Sequence, residues 1–231
     1  MSGLDASERA QLANLLEHAG VEPRIIDSLA LFGALLLDTN RRFNVSGPET
    51  PQALMPHILD SLSIAPYVEE SFIDIGSGGG LPAVPLAIAT GIPVTLVEST
   101  TKKAAFLESV LAQLGLDGRV IPERAELAGR HSDLRDRFPS ATGRAVSSAA
   151  TVLELTMPFV RVDGIAALQR GKMTDRERDA VIDAAPMLGA RLENEVRLPG
   201  NRRLLLVRKI AATPQRFPRR TGVAGKRPLC L

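Results

Sequence analysis

The chain has 231 residues, of which 45% are hydrophobic and 23% charged, and these proportions are typical of an ordinary globular protein rather than a disordered segment. Its length is enough for one large α/β domain with a small appendage and too short for two full domains. The formal net charge is only +2, but nine of the 28 basic residues and none of the 26 acidic residues fall within 201–231.

The cysteine and hydropathy patterns exclude several further classes. Cys230 is the only cysteine, so a disulfide within the chain and a cysteine metal cluster are impossible, and with three scattered histidines we expect no metal. The first residues lack a basic region followed by an apolar core, and the longest strongly apolar stretch, 29–37, is too short to span a bilayer. We therefore expect a cytoplasmic protein that does not enter membranes.

The first seventy residues have the pattern of three helices. Asp5 and Glu8 have the spacing of a capping box at the start of the first helix. Pro23 can open a second helix whose apolar stripe stops at Asn40, and a third begins at Thr50. Short amphipathic helices need another apolar surface to cover, so we expect them to pack against the rest of the chain as a cap.

The segment 73–80, I-D-I-G-S-G-G-G, is where a buried strand turns into a helix, and it predicts a nucleotide-type cofactor site. The glycine spacing alone would also fit NAD or FAD, or a plain turn. Asp74 favours S-adenosylmethionine, because a carboxylate repels a pyrophosphate but tolerates an amino group and a cationic sulfonium. A second apolar run, 93–97, ends at Glu98, which is placed to accept both ribose hydroxyls.

From residue 72 onward, strand and helix patterns alternate. The predicted strands are 72–75, 93–97, 119–122, 144–147, 164–169, 191–198 and 203–209. The predicted helices between them are 82–90, 102–114, 151–160 and 174–185, with 126–137 left open.

The last two predicted strands are separated by a turn too short for a helical crossover, so they must be antiparallel neighbours. A doubly wound, mostly parallel sheet with a terminal antiparallel hairpin is the class I S-adenosylmethionine-dependent methyltransferase fold, whereas a dinucleotide-binding sheet is parallel to its edge. We expect an N-terminal helical cap at 1–70 and this Rossmann-like domain at 71–231.

The basic block at the end of the chain has the composition of a polyanion contact, and its prolines and glycine indicate a defined loop rather than a solvated tail. Phe217 offers a stacking or anchoring surface within it. We expect this tail to bind phosphate and to be separable from the cofactor site.

His57, Asp60 and Ser61 lie on one face of the third predicted helix. A catalytic role is possible for such a group, but the apolar neighbours favour a half-buried polar cluster that locks the helical cap to the sheet.

Six motifs in a fixed order and spacing carry a resemblance to a known family. They are Phe43-Asn44-Val45-Ser46 with 57–62, 74–82 with Pro85-Leu86-Ala87, 98–107, Arg124-Ala125-Glu126, Arg144-Ala145-Val146, and 217–222 with 226–229. Nearly the whole chain resembles the glucose-inhibited division protein B family, the guanine-N7 methyltransferases of 16S small-subunit ribosomal RNA.

The resemblance implies the site residues. Those that contact S-adenosylmethionine would be Gly76, Leu81, Glu98, Ser99, Thr100, Ala125, Glu126 and Arg144, and the glycine turn itself adds Gly78. Apart from the resemblance, we expect contact with RNA at the basic residues Arg170, Lys172, Arg219, Arg220, Lys226 and Arg227. Arg144 could also be a structural ion pair, and Arg170 keeps the positive charge of the family's usual lysine.

The resemblance further implies transfer of a methyl group to N7, a nitrogen that carries no proton and needs no general base before attack. We therefore expect no catalytic acid or base, with Arg144 and Arg170 as contributors to positioning. The partner would be 16S ribosomal RNA or the small subunit, bound by a monomer. A methyltransferase for another RNA or protein acceptor, a ribosome assembly factor without turnover, and a dehydrogenase remain open as alternatives.

Overall fold

The computed structural model describes residues 6–144 and 148–231. Its helices are α1 Ala6–His18, α2 Pro23–Arg42, α3 Pro51–Leu62, α4 Ala83–Thr90, α5 Thr101–Leu114, α6 Ala125–Ala128, α7 Ala149–Thr156, α8 Asp175–Met187 and α9 Val223–Lys226. Its strands are β1 Phe72–Ile75, β2 Val94–Val97, β3 Gly118–Ile121, β4 Phe138–Arg144, β5 Val160–Arg170, β6 Ala190–Leu198 and β7 Arg202–Lys209. Within the described part of the chain, no helix is long and apolar enough to cross a membrane.

The seven strands form one sheet in the order β3-β2-β1-β4-β5-β7-β6. The pairs among β1 to β5 are parallel, whereas β7 is antiparallel to both β5 and β6. The predicted class I methyltransferase fold with its terminal hairpin is therefore confirmed. The strand order reverses between β1 and β4, and in open sheets of this kind ligands bind beyond the carboxyl ends of the strands at such a point.

Apolar side chains alternate between the two faces of the sheet, as the pleat requires. In β7, for example, Leu204 and Leu206 belong to one core and Leu205 and Val207 to the other. The first core joins one face to α1 through α5, and the second joins the opposite face to α7, α8 and the C-terminal residues. The N-terminal helices thus share a single apolar core with the sheet.

The fourth strand lies earlier than the predicted 144–147. It spans Phe138–Arg144, so Arg144 ends this strand; residues 145–147 lie outside the described part of the chain. Its small and polar residues resemble a loop in sequence, but each has a tertiary reason. Thr142 donates to Asp74, and a Cβ on Gly143 would come within 2.7 Å of Val152 on α7, so only glycine allows this close packing.

The second helix continues past Asn40, the predicted stop, to Arg42. Asn40 organises the loop that follows, because its side-chain oxygen accepts from the backbone N–H groups of Val45 and Ser46. Thr50 caps α3 as predicted, through its hydroxyl and the Ala53 N–H. Asp5 lies outside the described residues, so its predicted capping box has no structural counterpart here.

Candidate active site

The predicted glycine turn follows β1, and three of its residues have backbone angles that favour glycine. Gly76, Gly78 and Gly80 have φ angles of 73°, 54° and 86°, in the left-handed region that other residues rarely adopt. A Cβ on Gly80 would also lie 2.8 Å from Val84. The turn therefore needs these glycines to pass from the strand into α4.

A cleft of about 230 Å³ opens beside this turn, over the carboxyl ends of β1, β2 and β3, and we name it the cofactor cleft. Its lining comes from β1, β2, the start of α6, α7 and the C-terminal segment. The residues are Ile75, Gly76, Val97, Glu98, Ser99, Arg124, Ala125, Glu126, Thr151, Leu155, Gly222 and Gly225. Five of the nine residues predicted to contact the cofactor thus line one cleft, namely Gly76, Glu98, Ser99, Ala125 and Glu126.

The other four predicted cofactor residues are placed differently. Gly78 and Thr100 are not part of the cleft lining, but each donates its backbone N–H to the Glu98 carboxylate, at 2.9 Å and 2.7 Å. Leu81 is buried in the core beneath the helical cap, and Arg144 lines a neighbouring cavity. Their roles in cofactor contact remain predictions.

Glu98 is held in place by the chain itself. Each of its carboxylate oxygens accepts one backbone N–H, so the orientation of the group is fixed before any ligand arrives. A carboxylate oxygen can accept a second hydrogen bond, so ribose hydroxyls could still be bound. Glu126, on the opposite wall, accepts the N–H of Gly222 at 2.8 Å and so ties the C-terminal segment to the cleft.

Asp74 lies under the glycine turn and is almost fully buried. Burial raises the pKa of its carboxyl from 3.8 to about 6, against the hydrogen bond that Thr142 donates to Oδ1 at 2.6 Å. Oδ2 has no hydrogen-bond partner among the described residues. The ionised carboxylate is therefore costly here, and a nearby cation would relieve that cost.

A second cavity, of about 340 Å³, lies next along the same edge of the sheet, over β4, β5 and β7. We name it the arginine cavity. It is lined by His57, Asp60, Arg144, Gln169, Arg170, Gly171 and Arg202. The three arginines come from the ends of β4 and β5 and from the start of β7, which runs in the opposite direction and therefore begins at this edge.

Burial lowers the pKa of the Arg144 guanidinium, while Asp60 and Asp74 both oppose the shift through their charges. The positive charge of Arg144 thus lies within electrostatic range of both Asp74, under the glycine turn, and Asp60, in the arginine cavity. The pKa of His57 is lowered by burial and by the nearby Arg144 and Arg202, so its imidazole is neutral at pH 7.

The polar cluster on α3 joins the helical cap to the sheet, as interpreted from the sequence. Asp60 pairs with Arg202 on β7, and its backbone oxygen accepts from the Gln169 side chain at 3.0 Å. Ser61 donates back to the His57 carbonyl. The cluster also borders the arginine cavity, which the spacing of residues along α3 could not reveal.

A third cavity, of about 560 Å³, extends the arginine cavity along the hairpin of β6 and β7 and shares Arg202 with it. We name it the hairpin groove. Its lining contains no acidic residue: Lys172, Met173, Arg197, Leu198, Gly200, Asn201, Arg202 and Arg203. Lys172 was predicted individually to contact RNA, and Arg202 and Arg203 belong to the predicted basic block, whereas Arg197 was not predicted because it lies outside that block.

The C-terminal basic block is partly neutralised, contrary to the prediction of a separable phosphate-binding tail. Five of its nine cations pair with carboxylates from the rest of the chain: Arg202, Arg203, Arg208, Lys209 and Arg219. Arg219 holds the fully buried Glu154. Four are exposed and have no ion pair among the described residues: Arg216, Arg220, Lys226 and Arg227. Phe217 is buried, so it anchors the tail instead of presenting a stacking surface.

The tail is also part of the cofactor cleft rather than a separate unit, because Gly222 and Gly225 line that cleft. Arg135 fastens the preceding loop by donating to the carbonyls of Thr213 and Phe217 at 2.6 Å and 3.0 Å. Over residues 6–144 and 148–231, no group of histidine, cysteine or acidic side chains is arranged to hold a metal ion.

Comparisons with known proteins agree with this architecture. Solved structures with a similar fold include M. jannaschii TYW2 in complex with AdoMet, with a TM-score of 0.51, 17% identity, and coverage of 65% of this chain and 74% of that one. The mitomycin 7-O-methyltransferase MmcR has a TM-score of 0.54, 14% identity, and coverage of 81% and 73%. At these identities the likeness shows the fold.

Similarity in sequence is much closer. The chain is 39% identical over 213 residues to the ribosomal RNA small subunit methyltransferase G of Rubrobacter xylanophilus, covering 85% of this chain and 81% of that protein. It is 40% identical over 204 residues to the same-named protein of Chloroflexus aggregans, with coverage of 84% and 86%. The family model GidB, rRNA small subunit methyltransferase G, matches residues 25–206, and the chain belongs to this family of S-adenosylmethionine-dependent enzymes.

Proposed function

We propose that this protein transfers a methyl group from S-adenosylmethionine to N7 of a guanine in 16S small-subunit ribosomal RNA. The observation that carries the proposal is the order of the three cavities along the carboxyl edge of the sheet. An acidic cleft over β1 to β3 adjoins a cavity with three arginines, and that cavity continues into a groove with four cations. A cationic cofactor, a target base and an RNA backbone could occupy them in that order.

The residues of the cofactor cleft suit S-adenosylmethionine. Glu98 is fixed for ribose hydroxyls, and the backbone at Gly76 turns away to leave room beside the strand end. Asp74 supplies a buried negative charge close to the turn, which favours a cation over a pyrophosphate. When bound, the cofactor supplies an electrophilic methyl group on a cationic sulfur.

The chemistry of methyl transfer to N7 explains why the arginine cavity, where the target guanine would bind, is lined by arginines. N7 has an in-plane lone pair and no proton, so the chain needs to place the base and exclude water rather than remove a proton. Arg144 and Arg170 are donors that can grip guanine O6 or the phosphate next to it. His57, neutral at pH 7, is a packing and lining residue in this account.

The RNA around the target base would follow the hairpin groove. Lys172 and Arg197 are exposed at its rim and have no ion pair among the described residues. The exposed cations of the tail, Arg220, Lys226 and Arg227, lie within two residues in sequence of Gly222 or Gly225, which line the cofactor cleft, and can contact phosphates further along. Arg219 is excluded from this role by its ion pair with Glu154.

The protein is proposed to act as a monomer on ribosomal RNA. The partner is 16S ribosomal RNA, free or in the small subunit, and the site is complete within one chain, which fits a monomer. Since ribosomal RNA is a cytoplasmic substrate, the enzyme would act there.

The test is a methyl-transfer assay with purified protein, labelled S-adenosylmethionine and small subunits from cells that lack the protein. We expect one 7-methylguanosine in 16S RNA, located by chemical cleavage at the modified base. Methylation of another atom or of a protein would identify a different acceptor class. Cofactor binding without any transfer to free RNA or to subunits would support an assembly factor and overturn the proposal.

A further inference from the structure

One polar atom in the arginine cavity is left without a partner. Gln169 is 3% exposed, and its side-chain oxygen, Oε1, has no hydrogen-bond partner among the described residues. A buried amide oxygen that makes no hydrogen bond destabilises the folded chain, so such atoms are rare in folded proteins unless a ligand uses them.

The orientation of this amide is determined by its neighbours. Its nitrogen, Nε2, donates to the backbone oxygen of Asp60 at 3.0 Å, and only the nitrogen can donate to a carbonyl. The oxygen is therefore fixed as the end of the side chain that remains available. Shielding from water makes a hydrogen bond to it stronger than at an exposed site, and a ligand must displace neighbouring side chains to reach it.

The cavity is otherwise rich in donors. Arg144, Arg170 and Arg202 can only donate hydrogen bonds, and Arg202 engages one carboxylate oxygen of Asp60, Oδ2. Guanine needs both kinds of partner, because O6 accepts while N1–H and the N2 amino group donate. The cavity therefore matches guanine only if it contributes an acceptor, and Gln169 Oε1 is its buried acceptor without a partner among the described residues.

Strand register places the two kinds of partner side by side. Gln169 on β5 is paired directly with Arg144 on β4, so both side chains leave the same face of the sheet. Neighbouring strands lie about 4.8 Å apart, a spacing comparable with the width of the Watson–Crick edge of a base. In guanine, O6 lies between N7 and the N2 side of the ring.

From this arrangement we propose that Gln169 selects guanine by accepting a hydrogen bond from its N2 amino group, while Arg144 donates to O6. The base then spans β4 and β5, with N7 toward β1 and the cofactor cleft. Gln169 is a specificity residue that contacts the substrate and takes no part in the transfer itself. This inference rests on the proposed function.

The test compares two RNAs that differ in one group. Small-subunit RNA carries either guanosine or inosine at the methylated position; inosine keeps N7, O6 and N1–H but lacks the N2 amino group. We expect the wild-type protein to prefer guanosine by roughly 10- to 100-fold in kcat/KM, because the analogue leaves Oε1 unpaired. The affinity of the two RNAs, measured at equilibrium, should differ in the same direction.

Gln169→Met keeps the length of the side chain and removes the acceptor. We expect it to lower kcat/KM on guanosine RNA to the inosine value and to leave the inosine value nearly unchanged. Thr156→Val is the matched control: Thr156 also has a buried hydroxyl without a partner among the described residues, but it does not line the cavity, so the preference should survive.

Two results would overturn the assignment. One is a wild-type protein that methylates guanosine and inosine RNA equally well, a measurement that needs no variant to fold. The other is a folded Gln169→Met protein with normal cofactor affinity and an unchanged preference. If no guanosine in ribosomal RNA is methylated at N7 by the wild-type protein, the proposed function fails instead, so the two failures are distinguishable.

Discussion

The two halves of the carboxyl edge of the sheet differ in charge. Over β1 to β3 the buried groups are carboxylates, namely Asp74, Glu98 and Glu126. Over β4 to β7 the charged residues that line the cavities are arginines and a lysine, together with Asp60, which is paired to one of them. A cationic cofactor and a polyanionic acceptor need opposite fields, and the strand order separates these fields within one continuous site.

The largest expected effect tests whether the C-terminal tail is anchored to the folded core. Arg219→Gln should lower the free energy of unfolding by about 4 kcal/mol, because it leaves Glu154 buried without its cation. Urea unfolding gives the value. Arg220→Gln, an exposed neighbour without an ion pair among the described residues, should change stability by less than about 0.5 kcal/mol. Equal effects of the two substitutions would mean that the tail is not anchored in this way.

The next largest effect should be confined to cofactor binding in the acidic half of the edge, over β1 to β3. Glu98→Ala should weaken binding of S-adenosylmethionine roughly 100-fold, about 3 kcal/mol, because it removes a fixed carboxylate and leaves the Gly78 and Thr100 N–H groups without their acceptor. Calorimetry measures this affinity, and filter binding should give an unchanged affinity for RNA. A parallel loss of RNA affinity would show that the two halves do not act separately.

Asp74→Asn should separate stability from cofactor binding. The pKa of Asp74 is about 6 in the folded chain and 3.8 when unperturbed, so the unfolded state releases its proton first as the pH rises. Wild-type stability should therefore fall between about pH 4 and pH 6, and above that range the variant should be more stable by about 3 kcal/mol.

Near pH 3 the carboxyl is largely protonated in both the folded and the unfolded state, so the difference in stability between the wild type and the variant should shrink toward zero there. Thermal unfolding across this pH range provides the measurement. Cofactor affinity at pH 7 should drop, since the variant lacks the negative charge. A variant that is no more stable at pH 8 than the wild type would contradict the buried-charge account.

The smallest expected effect is on the salt dependence of RNA binding, and it tests one residue of the basic half, over β4 to β7. Arg197→Gln should reduce the slope of log affinity against log salt for RNA by about 0.7, the value for one contact to a single strand. Arg191→Gln is the matched control, because Arg191 is also exposed but lies at the opposite end of β6. Equal changes for both arginines would mean that the hairpin groove has no special part in RNA binding.

The sequence predicted most of the fold because its signals are local. Periodicity located the strand before Gly76, and the short turn between the last two predicted strands required an antiparallel pair. The bounds of the fourth strand were predicted wrongly because tertiary contacts, not local pattern, determine its residues. Gly143 is required by the close approach of α7, and Thr142 donates a hydrogen bond to Asp74.

The candidate site was only partly predictable for the same reason. Local motifs supplied Gly76, Glu98 and Ala125, each of which follows a strand. The arginine cavity, in contrast, collects residues as far apart as His57 and Arg202 through the order of strands in the sheet. Ion pairing of the tail was equally invisible, because the carboxylates that neutralise it lie elsewhere in the chain.

The contact between the C-terminal segment and the cofactor cleft has a consequence for biosynthesis. Gly222 and Gly225 form part of the cleft wall, and the Thr151 hydroxyl on α7 donates to the Ala224 carbonyl at 3.0 Å. When the glycine turn and all seven strands of a nascent chain have emerged from the ribosome, this part of the cleft wall is still missing. It can form only after residue 225 has emerged as well. The cofactor therefore cannot be bound by the whole cleft until these residues have emerged, which is after all seven strands have been made.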